Sequence, residues 1–264
     1  MRFSRSTVRT MTFSALPELL YSLLLGSALG FFGGVFGIGG GIIAIPMLVL
    51  GFGMDQALAQ GTALVLMVPN LLIGWWRYSQ RHPVGWRAAV LIGGTATLTT
   101  ALIAHWATRI DSSLLGHLFS GFLGLLALRM LWLRHLRQHT PAEKPLPWRA
   151  LPLVGMAGGS SMGLLGIGGG LVATPLLAGW LGQRQTVAQS LSLALVAPSS
   201  VIALLTYASA QRVDWSLGLP MALGGMFTVS AGVTLAHRLP ERRMRSAFAW
   251  MLLGTALWLG LAPR

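Results

Sequence analysis

Long apolar runs separated by short polar segments make up most of this 264-residue chain. A membrane-spanning helix needs about 20 mostly apolar residues, and eight of the runs reach or approach that length. Two further runs, at 42–52 and 171–181, are about half a span each, and each follows a glycine cluster. The eight longer runs are 16–36, 57–76, 86–106, 112–132, 151–165, 187–208, 215–236 and 246–261. This pattern predicts an all-α polytopic membrane protein.

Composition narrows the class of protein further. Only 9% of the residues are charged, against about 25% in an average soluble domain, so the chain cannot build the charged shell of a soluble enzyme. The net charge of +13 raises nucleic-acid binding as an alternative, but the basic residues lie between apolar runs and not on one polar face. We therefore expect the lipid bilayer as a partner, no nucleic acid, and a multi-pass location in the inner or plasma membrane.

Motifs of catalytic or cofactor sites do not occur in the sequence. The absence of cysteine excludes thiolate metal sites and cysteine nucleophiles. A nucleotide-binding glycine loop would need a preceding strand and a following acidic residue, and neither is predicted here. We therefore expect no enzyme activity, no cofactor and no metal, and the sequence leaves the oligomeric state open.

The two halves of the sequence align without gaps when one is shifted by 129 positions. Residues 34–48 read GVFGIGGGIIAIPML and residues 163–177 read GLLGIGGGLVATPLL, with nine of fifteen positions identical. The alignment predicts two homologous repeats of about four spans each, at 1–134 and 149–264, joined by a basic polar linker at 135–148. A helix broken by glycine opens each repeat, which is a pattern typical of secondary transporters.

Charge in the loops favours inverted repeats. The loop at 77–87 is strongly basic and its counterpart at 212–214 is neutral, whereas the loop at 109–111 is neutral and its counterpart at 238–245 is basic. Because Lys and Arg prefer cytoplasmic loops, this reversal predicts opposite orientations, an odd number of crossings per half, and both termini outside. A simple eight-span arrangement with both termini inside stays open, since the inverted and the eight-span arrangements both place 13 of the 19 basic residues in the cytoplasm.

The glycine clusters are the first candidates for a binding site. Consecutive glycines disfavour a continuous helix, and non-helical backbone at membrane depth persists only where it is buried or lines a wet cavity. The helices that follow would begin with unpaired N–H groups, which bind anions. Tight packing of helices is the alternative role. The candidate backbone ligands are Gly37, Gly39, Gly40, Gly41, Gly166, Gly168, Gly169 and Gly170.

Neutral polar side chains in the next helices supply the other candidates. Gln60, Gln189, Asn70 and Ser199 can donate hydrogen bonds to an anion without the desolvation cost of a buried cation. Hydrogen bonding between helices is their alternative role. No carboxylate lies in the middle of a span, which argues against a pump driven through a buried acid.

Four prolines recur at matching positions of the two halves. Each removes one backbone donor and frees one carbonyl. They are predicted as helix breaks, with kinks that fit the bundle as the alternative: Pro46, Pro175, Pro69 and Pro198.

These motifs resemble a known family. The segments GIGGGIIAIP and GIGGGLVATP, followed by QGTALVLMVPN and QSLSLALVAPS, are similar to the duplicated signature of the sulfite exporter TauE/SafE family over about residues 16–262. The resemblance implies a permease for sulfite, organosulfonates or other small organic anions. One departure is that Ser190 and Leu191 stand where the first half has Gly61 and Thr62, so the two half-sites are chemically unequal.

The sequence thus predicts a secondary transporter of a small anion, working by alternating access at a midplane site between the two GIGGG breaks. A passive anion channel would use the same anion-binding helix ends and stays open as an alternative. A membrane-embedded enzyme or assembly factor is the third.

Overall fold

The computed structural model describes residues 16–36, 40–81, 83–133, 148–183, 185–236 and 249–258. Within these ranges the chain is helical and contains no β-strand. Gly37, Gly39 and the linker up to residue 147 lie outside the described residues. The helices are α1 (Leu16–Phe36), α2 (Gly41–Phe52), α3 (Gln56–Arg81), α4 (Trp86–Ala107), α5 (Ser112–Leu133), α6 (Leu151–Leu165), α7 (Gly170–Pro175, continued by a π-helical turn at Leu176–Trp180), α8 (Gln185–Ser209), α9 (Trp215–Ala236) and α10 (Ala249–Trp258).

Five of these helices, α1, α3, α4, α5 and α8, are long and apolar enough to cross a membrane. The helices α2, α7 and α10 are apolar but shorter. Large apolar side chains cover the outer surface, for example Leu24 at 70% exposure, Trp106 at 72% and Phe227 at 83%. Such a surface suits lipid and not water. The prediction of an all-α, polytopic membrane protein is confirmed.

Two of the short helices fold back along the helices that precede them. A Cβ added to Gly40 would lie 3.0 Å from the Leu29 carbonyl oxygen, and one added to Gly169 would lie 2.3 Å from the Gly158 carbonyl oxygen. In a continuous helix, residues this far apart in sequence would be separated by about 16 Å. α1 with α2, and α6 with α7, therefore each form a helical hairpin.

Three of the four prolines predicted as helix breaks lie inside continuous helices. α2 passes through Pro46, α3 through Pro69 and α8 through Pro198, so the prediction of a break is wrong there. A proline removes a single backbone donor, and packing in the bundle tolerates that loss. Only Pro175 coincides with a change, because the α-helical part of α7 ends there and the π-helical turn follows.

Close helix crossings join the two halves of the sequence. α1 crosses α9 where a Cβ added to Gly26 would lie 2.1 Å from the Met221 carbonyl oxygen, and α6 crosses α4 where one added to Gly155 would lie 2.7 Å from the Ile92 carbonyl oxygen. Small residues allow this approach. In the alignment of the two halves, Gly26 corresponds to Gly155 and Met221 corresponds to Ile92, so the two crossings are equivalent. The same alignment relates the contact of Gly30 with Gly225 to that of Gly159 with Ala96.

The loops before α3, α5 and α9 meet on one face of the molecule. Arg212 Nη1 lies 3.2 Å from Asp55 Oδ2, and Ser112 Oγ donates to Asp55 Oδ1 at 3.1 Å. A simple eight-span arrangement would place Asp55 and Arg212 on opposite faces of the membrane. That alternative is therefore wrong for this fold, whereas a hairpin at each glycine cluster brings all three loops to one face.

Three apolar clusters pack against α3, which lies at the centre of the bundle. Ala59 and Leu66 belong to a cluster shared with α1, α2, α5, α9 and α10. Ala57 and Leu64 belong to a second cluster shared with α4, α5, α6 and α8. Met67 belongs to a third cluster shared with α4, α6, α7 and α8. Most of the candidate site lies on α3, where these clusters adjoin.

Candidate functional site

Gln60, a predicted ligand, is fully buried on α3 and is held by Tyr207 of α8. Tyr207 Oη donates to Gln60 Oε1 at 2.7 Å and lies 3.2 Å from the Gly163 carbonyl oxygen. The Gln60 Nε2 atom has no hydrogen-bond partner in the described part of the chain. A Cβ added to Gly166 would lie 3.3 Å from Gln60 Cβ. The stem of Gln60 therefore lies against the second glycine cluster, and its amide carries an unused donor.

Tyr207 is the site residue that the sequence did not indicate as functional. The sequence shows that Tyr207 repeats Tyr78 at a distance of 129 positions, and both tyrosines fit the resemblance to the TauE/SafE family. The sequence feature that could have identified it is a lone tyrosine within an apolar run, because a buried hydroxyl needs a hydrogen-bond partner. Its side chain is fully buried, so its hydroxyl holds one end of the Gln60 amide, and the other end has no partner among the described residues.

Met67 lies against both glycine clusters. A Cβ added to Gly41 would lie 2.0 Å from Met67 Sδ, and one added to Gly168 would lie 3.7 Å from Met67 Cε. Val196 occupies the matching position on α8, with its methyl groups 3.8 Å from the Cβ position of Gly168 and 3.5 Å from that of Gly170. The structure thus brings these predicted glycines together around two buried apolar side chains.

Asn70 and Ser199 occupy matching positions on α3 and α8 but differ in their partners. Asn70 is 3% exposed, and neither of its amide atoms has a partner among the described residues. A Cβ added to Gly225 would lie 3.3 Å from Asn70 Nδ2. Ser199 is buried too, but its hydroxyl donates to the Leu195 carbonyl at 2.6 Å. Asn70 is available to a ligand, whereas Ser199 bonds its own helix.

The remaining predicted ligands lie on the elements that bound this centre. Gln189 is half-buried on α8, two turns before Val196. Gly40 and Gly169 are the N-caps of α2 and α7, and neither helix has a side-chain cap. Gly40 adopts a left-handed φ of 92°, which favours glycine. Leu171 N already donates to the Gly168 carbonyl and Ile43 N to the Gly40 carbonyl, so only the amides that precede them could serve an anion as backbone donors.

The centre of the molecule is polar without being charged. No charged side chain is among the buried residues that the structure describes. The aspartates cap helices at the loops instead: Leu58 N donates to Asp55 Oδ1 at 2.9 Å, and Leu217 N donates to Asp214 Oδ1 at 3.2 Å. An unpaired charge at membrane depth is costly, so neutral amides are the donors that this site offers.

Comparison with known proteins gives matches over nearly the whole chain. The model of a family described as Sulfite exporter TauE/SafE matches residues 22–259. A probable membrane transporter protein of Xylella fastidiosa is 26% identical over 249 residues, covering 92% of this chain and 95% of that protein. A probable membrane transporter protein of Methanocaldococcus jannaschii is 27% identical over 250 residues, covering 89% of this chain and 92% of that protein. A probable membrane transporter protein of Haemophilus influenzae is 26% identical over 261 residues, covering 90% of this chain and 97% of that protein.

Proposed function

Since the chain belongs to the sulfite exporter TauE/SafE family of membrane transporters, we propose that it is a secondary transporter of a small anion. The proposed substrate is sulfite, an organosulfonate or another small organic anion, carried across the inner or plasma membrane. The observation that carries the proposal is the free Nε2 donor of Gln60, a buried residue whose amide is held by Tyr207 and whose stem lies against Gly166.

Unused donors at the centre support an anionic ligand. A buried donor without a partner costs about 1–3 kcal/mol, and Gln60 Nε2 and Asn70 Nδ2 both lack one in the described part of the chain. A small oxyanion presents only acceptor oxygens, so it would satisfy such donors. Binding by neutral amides also avoids the desolvation cost of burying a cation beside the anion.

The helix arrangement supports inverted repeats and alternating access. Within the described residues, each proposed half, 1–134 and 149–264, contributes five helices, α1–α5 and α6–α10, and an odd number reverses the orientation of the second half. The linker at 135–148 joins the halves. The crossings of α1 with α9 and of α6 with α4 are related by the shift of 129 positions. Rocking of one half against the other would then open the centre to each side in turn.

The proposal is tested by measuring sulfite and sulfonate uptake into proteoliposomes. We expect Gln60→Leu to weaken substrate binding about 10- to 100-fold, because it removes a donor that bonds a charged ligand. Ser120→Ala is the control, since Ser120 is buried but bonds the Gly116 carbonyl of its own helix at 2.7 Å. A folded Gln60→Leu protein with wild-type uptake would contradict the site assignment.

A passive channel is the second candidate and is separated by its kinetics. Met67 and Val196 fill the space between the glycine clusters, which supports a carrier with a closed centre. We expect vesicles preloaded with unlabelled substrate to accelerate the entry of labelled substrate. Single-channel current without such acceleration would favour the channel.

A further inference from the structure

Buried side-chain amides without partners are concentrated on α3. Within the described ranges, six buried side-chain nitrogen or oxygen atoms lack a hydrogen-bond partner. Five of them belong to Gln56, Gln60 and Asn70, and the sixth is Ser161 Oγ. Because unsatisfied buried groups oppose folding, such a concentration on one helix calls for a functional explanation.

The three amides form a row along one face of α3. An α-helix advances by about 100° per residue, so Gln56, Gln60 and Asn70 lie within a sector of about 80°, and Met67 lies in the same sector. The row is about 21 Å long at 1.5 Å per residue. It therefore extends from the first turn of α3 to the level of the glycine clusters and one turn beyond Met67.

Apolar side chains from two clusters lie within the same sector as these amides. Ala63 belongs to the cluster shared with α1, α2, α5, α9 and α10, and Met67 belongs to the cluster shared with α4, α6, α7 and α8. The amides of the row are therefore set among apolar side chains, and five of their six nitrogen and oxygen atoms have no partner in the described part of the chain.

Gln56 lies at the outer end of the row. It directly follows Asp55, whose carboxylate pairs with Arg212 at 3.2 Å, and both of those side chains are about 40% exposed. Gln56 itself is 4% exposed, and both of its amide atoms lack partners in the described structure. It is therefore the first buried polar group behind the ion pair, one helical turn before Gln60.

We propose that Gln56 is an outer binding subsite for the transported anion, on the face where the loops before α3, α5 and α9 meet. The inference rests on the proposed function. Gln56 Nε2 donates to an oxyanion that enters from this face, and the anion then moves one turn along α3 to Gln60. Arg212 neutralises Asp55 at the entrance, so the carboxylate does not repel the anion.

The test compares uptake from the two faces, using sulfite as the probe in vesicles of each orientation. For Gln56→Leu we expect an increase in KM of about tenfold from the face of the Asp55–Arg212 pair and little change from the opposite face. Gln56→Glu should raise KM further from that face, because a carboxylate of the same shape repels the anion. Gln60→Leu should raise KM from both faces.

The melting temperature of each variant shows whether a change in KM comes from a loss of stability. Gln56→Leu removes unsatisfied polar atoms, so its melting temperature should equal or exceed that of the wild type. Gln183→Leu is the matched control, because Gln183 is also 4% exposed but its Nε2 donates to the Leu181 carbonyl at 3.3 Å. That control should lower the melting temperature and leave KM unchanged from both faces.

The outcomes separate this inference from the proposed function. If KM for Gln56→Leu equals the wild-type value from the Asp55–Arg212 face while Gln60→Leu impairs uptake, the outer subsite is overturned and the transporter proposal stands. If Gln56→Leu raises KM equally from both faces, Gln56 belongs to the central site instead. If the wild-type protein moves no sulfite, sulfonate or other small organic anion, both are overturned.

Discussion

At position 67, a methionine fills the space that a side chain at Gly41 would need and also contacts the region of Gly168. Its counterpart on α8 is Val196, a shorter and stiffer side chain. Thioethers are flexible and fill irregular gaps, so the volume between the glycine clusters depends on Met67 together with Val196. The two halves differ in side-chain length at this pair of positions.

We therefore expect Met67→Val to widen the site and to raise the uptake of a larger organosulfonate relative to sulfite. The lost contacts should lower the free energy of unfolding by about 1–3 kcal/mol. The ratio of the two uptake rates in proteoliposomes measures the effect. Met162→Val is the control, because Met162 is fully buried in the cluster with Tyr207 and should lose stability at an unchanged ratio. An unaltered ratio in folded Met67→Val would refute a role in selectivity.

Among the helices, the closest contacts are the crossings of α1 with α9 and of α6 with α4. At both, glycine lets backbone meet backbone, and at the second the Thr100 hydroxyl donates to the Gly159 carbonyl at 3.0 Å. Each crossing joins helices from different halves of the sequence. Substitutions there should therefore affect how the halves fit together as well as local stability.

We expect Gly26→Ala to destabilise the protein, because the new methyl group would lie 2.1 Å from the backbone oxygen of Met221. Gly155→Ala should do the same at the related crossing, where Thr95 Oγ1 would lie 2.0 Å away. Gly121→Ala is the control: no heavy atom lies within 4 Å of its added Cβ, and alanine is favoured over glycine in a helix by about 1 kcal/mol. Thermal unfolding in detergent should rank the control at or above the wild type, and the reverse order would disprove the packing role.

The whole molecule has one face where the loops before α3, α5 and α9 meet, and the proposed topology places it outside. The opposite face would carry the basic segment 77–87, which includes the end of α3 and the start of α4, in the cytoplasm. The Asp55–Arg212 pair joins the two halves on the face where these loops meet. This arrangement requires the ends of α3 and α8 to lie on opposite sides of the membrane.

The absence of cysteine allows a direct check of this topology. We expect Ser209→Cys, at the end of α8, to react with an impermeant maleimide on intact cells. Gln80→Cys, in the last turn of α3, should react only after the membrane is opened. Both residues are exposed, so access depends on sidedness. Labelling of both positions on intact cells would show that the proposed orientation is wrong.

The sequence by itself determined the features that depend on local pattern. Apolar runs predicted the spans and the two short helices, since helix length and hydropathy are read along the chain. Alignment of the two halves with a shift of 129 positions identified the duplicated glycine clusters and showed that Gln60 corresponds to Gln189. The prediction of helix breaks was wrong at Pro69 and Pro198, which lie inside continuous helices. The loss of one backbone donor does not decide whether a packed helix continues.

Only the tertiary structure decided which polar groups are free. Tyr207 bonds Gln60 across 147 residues and Arg212 pairs with Asp55 across 157, so neither partner can be read from local spacing. Ser199 and Asn70 looked equivalent in sequence, yet one bonds its own helix and the other has no partner among the described residues. Whether a buried donor is satisfied depends on what packs against it, and that is a property of the folded bundle.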